Sequence, residues 1–153
     1  MNVADALAQR HEVAGSFVPF ENREHRFEEI GFSIQVLEPG QPNGRYHREG
    51  VQEGFLVLHG ECILIVEEQE RPMKKWDFFH CPPGTDHVFV GAGDGPCAIV
   101  MFGVRPDKDL YYPASKLAAK YGAEAPEPTA DPDAAYSDWN GELTPTRLDW
   151  PLS

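Results

Sequence analysis

Short apolar runs separated by glycine, proline and charged residues follow one another through the middle of the chain. Residues 32–37 alternate apolar and polar side chains, the period of a half-buried β-strand. Later runs are apolar on both faces, as in strands covered on both sides. The predicted strands are 32–37, 54–58, 62–66, 76–81, 87–90 and 98–102. Strands at such regular spacing, with little helix, predict an all-β sandwich or closed barrel.

The connections between these runs carry their own signals. His59-Gly60-Glu61 lies between 54–58 and 62–66, which predicts a β-hairpin with its tight turn at Gly60. Residues 67–70 are charged and are predicted to form a solvated loop tip. Residues 91–96 are rich in glycine, so we expect a surface loop there.

The two ends of the chain differ from its middle. Residues 1–26 are mixed and polar, which predicts an irregular N-terminal arm. Residues 114–121 favour a two-turn helix that ends at Gly122, and 123–137 resemble an extended linker. The tail is nevertheless rich in large apolar groups, so we expect it to dock on its own barrel or on a second subunit. These groups are Tyr136, Trp139, Leu143, Leu148 and Trp150.

Composition narrows the classes of function. The chain has 153 residues and a formal net charge of -12, which argues against a nucleic-acid surface because phosphate binding needs clustered lysine and arginine. The longest apolar runs are far shorter than the roughly 20 residues of a membrane span. The N-terminus lacks a secretory pattern, and the three cysteines form no CxxC pair. We therefore expect a cytoplasmic protein with reduced thiols and no membrane partner.

Two polar segments, 46–53 and 82–87, stand beside predicted strands. Side chains alternate along an extended chain, so His47 and Glu49 project to the same side, and Glu53 follows at the mouth of the next strand. His87 arrives from another strand after a Pro-Pro-Gly turn. Imidazole and carboxylate are suitable ligands for first-row divalent metals, and a set with few thiolates indicates an open, reactive centre.

These two segments resemble the motifs of the cupin superfamily. Glu53 is followed by six residues and then Gly60, as the first motif requires, and Pro82, Gly84 and His87 match the core of the second. Glu49 stands where the first motif has its second histidine, so this is an atypical member. The resemblance covers about a third of the chain directly.

The resemblance implies a divalent metal held by His47, Glu53 and His87, with Glu49 as a substituted fourth ligand. Ligand hardness favours Fe or Mn, and Zn or Ni is also compatible. If Glu49 is not a ligand, it is available as a catalytic general base. The fold implied is a double-stranded β-helix, or jelly-roll barrel, over 27–104, with the arm at 1–26 and an extension containing a short helix at 105–153. Cupins commonly pair through barrel edges, which implies a homodimer.

Three hypotheses about function follow. The first is a metal-dependent enzyme acting on a small organic molecule, of dioxygenase, isomerase or lyase type. The second is a module that binds or senses a small molecule without turnover. The third keeps the barrel but not the metal, with Glu49 and Glu53 in ion pairs; the arginines near Glu49 in sequence are Arg45 and Arg48.

Overall fold

The computed structural model describes residues 1–105 and 109–149, which form two antiparallel β-sheets with two short α-helices and one 3-10 helix. The strands are β1 (Ala8–His11), β2 (Gly15–Pro19), β3 (Ile30–Leu37), β4 (Glu53–His59), β5 (Glu61–Val66), β6 (Gln69–Lys74), β7 (Phe78–Cys81), β8 (His87–Ala92), β9 (Cys97–Val104) and β10 (Thr144–Thr146). The α-helices are α1 (Lys116–Ala119) and α2 (Pro132–Ala135), and the 3-10 helix is Val3–Asp5.

The larger sheet has the order β10-β1-β2-β3-β9-β4-β7, and the smaller sheet has the order β6-β5-β8. Every second residue of a strand faces the space between the sheets, where apolar groups form the main core. This core contains Leu37, Phe55, Val57, Cys62, Leu64, Met73, Cys81, Phe89, Cys97 and Ile99. The all-β prediction is confirmed, and each of the six predicted strands overlaps an observed one.

The predicted hairpin at Gly60 is wrong. β4 pairs with β7 and β9, whereas β5 pairs with β6 and β8, so the chain passes from one sheet to the other at this point. Gly60 has a φ of 70°, and a side chain there would collide with the carbonyl oxygen of Pro96. The glycine is therefore required by a tight turn that connects the two sheets, and not by a hairpin turn within one sheet.

Two segments that were predicted to be irregular contain β-strands. The charged turn at 67–70 is confined to Glu67 and Glu68, because β6 begins at Gln69. The N-terminal arm is not irregular: β1 and β2 extend the larger sheet beyond β3. Ala8 and Val18 are fully buried there, and their apolar contacts stabilise the two strands. Both strands are too short to show a clear hydrophobic period in the sequence.

The predicted linker at 123–137 is also wrong as an extended segment. α1 is shorter than the predicted two-turn helix, because it ends at Ala119. Gly122 follows three residues later with a φ of 66°, and the chain then packs against the barrel. Ala123, Ala125 and Ala135 are buried, and Ala135 belongs to α2. Small side chains allow this close packing, although their composition resembles that of a solvated linker.

The tail docks on its own barrel in this structure. β10 pairs with β1, Trp139 stacks on His11 with ring centroids 5.9 Å apart, and Leu148 joins an apolar cluster on the outer face of the larger sheet. Leu143 is half exposed, and Trp150 lies outside the described residues. The extension is thus attached to the barrel along much of its length.

Candidate metal centre

His47, Glu53 and His87 meet at one end of the barrel interior. Glu53 and His87 are the first residues of β4 and β8, and His47 lies on the preceding connection, where its backbone bridges that of His87. One ligand atom from each of the three lies within 4.8 Å of the others. The two polar segments of the sequence therefore converge in space.

Backbone carbonyls fix the tautomer of both histidines. The Nδ1 of His47 lies 2.7 Å from the Arg45 carbonyl oxygen, and that of His87 lies 3.0 Å from the Thr85 carbonyl oxygen. A carbonyl oxygen only accepts, so each Nδ1 carries the ring proton and donates it. Each Nε2 then offers a lone pair, and the Nε2 of His87 lies 3.4 Å from a Glu53 carboxylate oxygen.

The pKa values of the two imidazoles are shifted in opposite directions. Burial and the neighbouring His47 lower the pKa of His87 to about 3, so this ring is neutral near pH 7. Burial by itself would lower the pKa of His47, but its hydrogen bonds to Glu49 and to the Arg45 carbonyl, with the charge of Glu53, raise it overall. The centre thus contains one imidazole whose burial keeps it neutral and one whose pKa is raised by the neighbouring carboxylates.

Glu49 lies beside this set of three. Its carboxylate oxygen is 3.5 Å from the Nε2 of His47, and its side chain is largely buried. The neighbouring arginines pair elsewhere: Arg45 with Asp138, and Arg48 with Asp86 at 3.1 Å. The carboxylate of Glu49 therefore faces the histidine rather than these arginines.

A cavity of about 320 Å³ opens next to the centre and is bounded there by Glu49 and Glu53. Its walls include the apolar side chains of Phe17 and Met101. A cavity of this size with a few polar groups at one end is typical of a small-molecule site.

Several contacts around the centre were not predicted from the sequence. Tyr112 packs against His47 with ring centroids 5.8 Å apart, and Arg45 supplies the carbonyl that orients the same histidine. At the far end of the cavity, Arg105 forms a two-pronged ion pair with Glu21, at 2.7 and 3.0 Å. The contacts of Tyr112 and Arg105 span long stretches of chain, and no local pattern signals them.

The donor set suits a divalent first-row metal. Two Nε2 atoms and one carboxylate converge, and both imidazoles are oriented by second hydrogen bonds, as metal-bound histidines in proteins almost always are. Burial alone would make a carboxylate costly here, and a cation would offset that cost.

Two antiparallel sheets closed around a core, with histidines and a carboxylate at one end, define a small β-barrel with a candidate metal centre. Residues 33–103 match the family model described as a cupin domain. This part of the chain is therefore a cupin domain, and cupins commonly bind a divalent metal ion.

Solved structures share the fold. The polyketide cyclase RemF from Streptomyces resistomycificus superposes with a TM-score of 0.62 at 13% identity, covering 72% of this chain and 81% of that one. A sugar phosphate isomerase of the cupin superfamily from Silicibacter pomeroyi gives a TM-score of 0.55 at 23% identity, covering 68% and 62%. At these identities the likeness shows the fold alone.

One curated protein is similar in part. Human Syntaxin-16 is 34% identical over 84 residues, an alignment covering 48% of this chain and 26% of that protein. The chain thus spans about a quarter of the length of that relative, too little to show a shared family. Separately, no helix in the described part of the chain is long and apolar enough to cross a membrane.

Proposed function

We propose that this protein is a metal-dependent enzyme acting on a small organic molecule, with a divalent ion held by His47, Glu53 and His87. The observation that carries the proposal is the convergence of two tautomer-fixed imidazoles and a carboxylate beside a cavity. Fe or Mn is favoured, and Zn or Ni is compatible. The bound ion would supply Lewis acidity toward a substrate oxygen.

Glu49 is the proposed general base. It borders the cavity and lies outside the set of three ligand residues, so its carboxylate is available to take a proton from the substrate. The carboxylate of Glu49 lies 3.5 Å from the Nε2 of His47, so the base would stand next to the bound ion. Proton transfer of this kind suits an isomerase or lyase; a dioxygenase would also consume O2, which distinguishes these classes.

The cavity favours an uncharged substrate over an acid. Glu49 and Glu53 carry negative charge at one end, and at the other end Glu21 accepts hydrogen bonds from both terminal nitrogens, Nη1 and Nη2, of the Arg105 guanidinium. Arg105 lowers the pKa of Glu21, so that carboxyl is ionised near pH 7. Apolar side chains on the cavity walls then favour a molecule with a ring or alkyl body and a hydroxyl or keto edge.

Metal analysis of untagged protein tests the metal centre. We expect close to one equivalent of a first-row divalent metal per chain, and less than about a tenth after His87→Ala, since a ligand is lost at a buried site. His80→Ala is the matched control, because His80 is exposed on the same barrel, and it should keep its metal. Wild-type protein without metal, or His87→Ala with full metal, contradicts the ligand set.

Screening the metal-loaded protein with small enols, ketones and phenols tests catalysis. Turnover, with or without O2 consumption, supports the enzyme. Binding without turnover across the screen would support the alternative, a module that binds or senses a small molecule in the same cavity.

We further propose that the protein forms a homodimer. Support comes from apolar side chains on the outer face of the larger sheet, beside its edge strand β7: Phe78 is 58% exposed, Ile30 45% and Phe102 40%. Exposed apolar faces next to sheet edges mark association sites. Light scattering should give twice the chain mass for wild-type protein and a monomer for Phe78→Glu; a monomeric wild type contradicts the dimer.

A further inference from the structure

The connection that carries His47 belongs to neither sheet. On one side its backbone pairs with β8, since the His47 N–H donates to the His87 carbonyl at 3.1 Å and the His87 N–H donates back at 2.8 Å. On the other side its partners come from the C-terminal extension. The Tyr46 N–H donates to the Ala123 carbonyl at 2.7 Å, and Arg48 exchanges two hydrogen bonds with Tyr111.

Arg45 anchors this connection to the extension. Its side chain is 2% exposed, although arginine is seldom buried unless its donors are paired. The guanidinium donates to the carbonyls of Gly122, Glu124 and Ala135 and to the Asp138 carboxylate. It also lies 4.4 Å from the ring centroid of Trp139. One side chain thus joins two separate parts of the extension, 122–124 and 135–139.

The same anchor fixes the peptide unit that orients His47. The Arg45 carbonyl and the Tyr46 N–H belong to one planar peptide. That N–H is held by Ala123, and the carbonyl accepts the Nδ1–H of His47 at 2.7 Å. Turning this plane would break the hydrogen bond to His47 and rotate its Nε2 away from Glu53 and His87.

We propose that Arg45 is a positioning residue of the metal centre: through it, the C-terminal extension holds His47 in the orientation and tautomer that metal binding requires. This inference rests on the proposed metal site. It also assigns a role to 111–139, which lies outside the residues that match the cupin domain. The extension then contributes to metal binding, by orienting His47, in addition to packing against the barrel.

Lysine cannot replace Arg45 in this role. The planar guanidinium presents five donors in a fixed fork, whereas an ammonium group is a compact point with three. Arg45→Lys therefore keeps the charge but cannot satisfy the three carbonyls and Asp138 together. Changes to groups that orient metal-bound histidines typically cost 10–100-fold in metal affinity.

The experiment is a Co²⁺ titration of the full-length, metal-free protein, followed by visible absorption, with Arg45→Lys as the test variant. We expect Co²⁺ affinity to fall about 10–100-fold and the absorption bands to shift, because the direction of one ligand changes. Asp138→Asn, which alters only one partner of Arg45, should weaken binding by a smaller factor. Arg71→Lys is the matched control, since Arg71 is exposed on β6 and its guanidinium donates to the Gln69 side chain, and it should match wild type.

Thermal unfolding of each metal-free variant separates positioning from general stability. A lower Tm for Arg45→Lys with unchanged Co²⁺ affinity and spectrum would overturn the inference and leave the metal site standing. If Arg45→Lys does not fold, Asp138→Asn and Tyr136→Phe test the inference instead. The Tyr136 hydroxyl accepts a hydrogen bond from the Arg45 backbone N–H at 3.0 Å. Wild-type Co²⁺ binding in both would likewise overturn it. Failure of wild-type protein to bind Co²⁺ would refute the metal site itself and the inference with it.

Discussion

The two ends of the barrel interior are built from the same strands but have opposite chemistry. β4 begins with Glu53 and continues inward with Phe55 and Val57, and β8 begins with His87 and continues with Phe89. One end is therefore a polar cluster beside a cavity, and the other is a closed apolar core. Burying ionisable groups costs stability, whereas burying apolar groups supplies it. The comparison indicates that the apolar end stabilises the fold, whereas the polar end costs stability, as expected for the proposed binding site.

The largest effect is expected at the apolar end. Ile99 is fully buried in the main core, so Ile99→Ala should lower the free energy of unfolding by about 2–5 kcal/mol. Co²⁺ affinity of the folded variant should stay within about threefold of wild type, because additivity holds for sites without shared partners. Chemical denaturation and Co²⁺ titration measure the two quantities. Leu143→Ala, at a half-exposed position, is the control and should change stability by less than about 0.5 kcal/mol.

At Glu53 we expect a large loss of metal affinity and no loss of stability, the reverse of the result expected at Ile99. Glu53→Gln should weaken metal binding at least about 100-fold, more than a change in an orienting group, because a charged ligand is lost. Stability of the metal-free protein should be equal or higher, since a largely buried charge is removed. Glu28→Gln, at an exposed site, should change neither quantity. A metal-free variant destabilised by several kcal/mol with intact metal binding would break the comparison between the two ends.

Glu49 offers a finer test within the polar end. As a general base, Glu49→Gln should leave Co²⁺ affinity within about tenfold of wild type while lowering kcat by about 10²–10⁴-fold for any substrate found. Calorimetric titration and steady-state kinetics measure the two effects. An affinity loss as large as that of Glu53→Gln would instead make Glu49 a fourth ligand.

The smallest effect is expected at the far end of the cavity. Glu21→Gln should release one edge of the Arg105 guanidinium and raise the affinity for benzoate about fivefold, the size of one net hydrogen bond. Affinity for phenol should not change, because phenol carries no charge. Ligand-detected NMR of the metal-loaded protein measures both. Tighter benzoate than phenol binding in wild-type protein would contradict the proposed preference for uncharged molecules.

Strand positions could be predicted from the sequence because burial selects short apolar runs between turn residues. β8 and the first half of β9 are such runs and are buried on both faces, whereas 32–37 was predicted from its alternation. Pairing could not be predicted: a short connection at Gly60 indicates a reversal but not which sheet receives the next strand. The docking of 123–137 could not be predicted from its buried alanines either, since alanine is common both in linkers and in tight packing.

The candidate ligands could be predicted because they lie in two compact motifs. His47, Glu53 and His87 converge as expected, although their binding of metal stays a prediction, as do Glu49 as base, the cytoplasmic location and the lack of a nucleic-acid partner. The support for His47 could not be foreseen. Arg45 reaches residues about 77 to 93 positions away, and nothing in its neighbourhood marks it as buried.

The most direct test of the account is anomalous diffraction from crystals of protein loaded with Mn²⁺ or Fe²⁺. The account predicts one peak at the polar end of the barrel, within about 2.0–2.3 Å of His47 Nε2, His87 Nε2 and a Glu53 carboxylate oxygen. A fully occupied metal at another position, or no peak among these three residues in metal-saturated crystals, would contradict it.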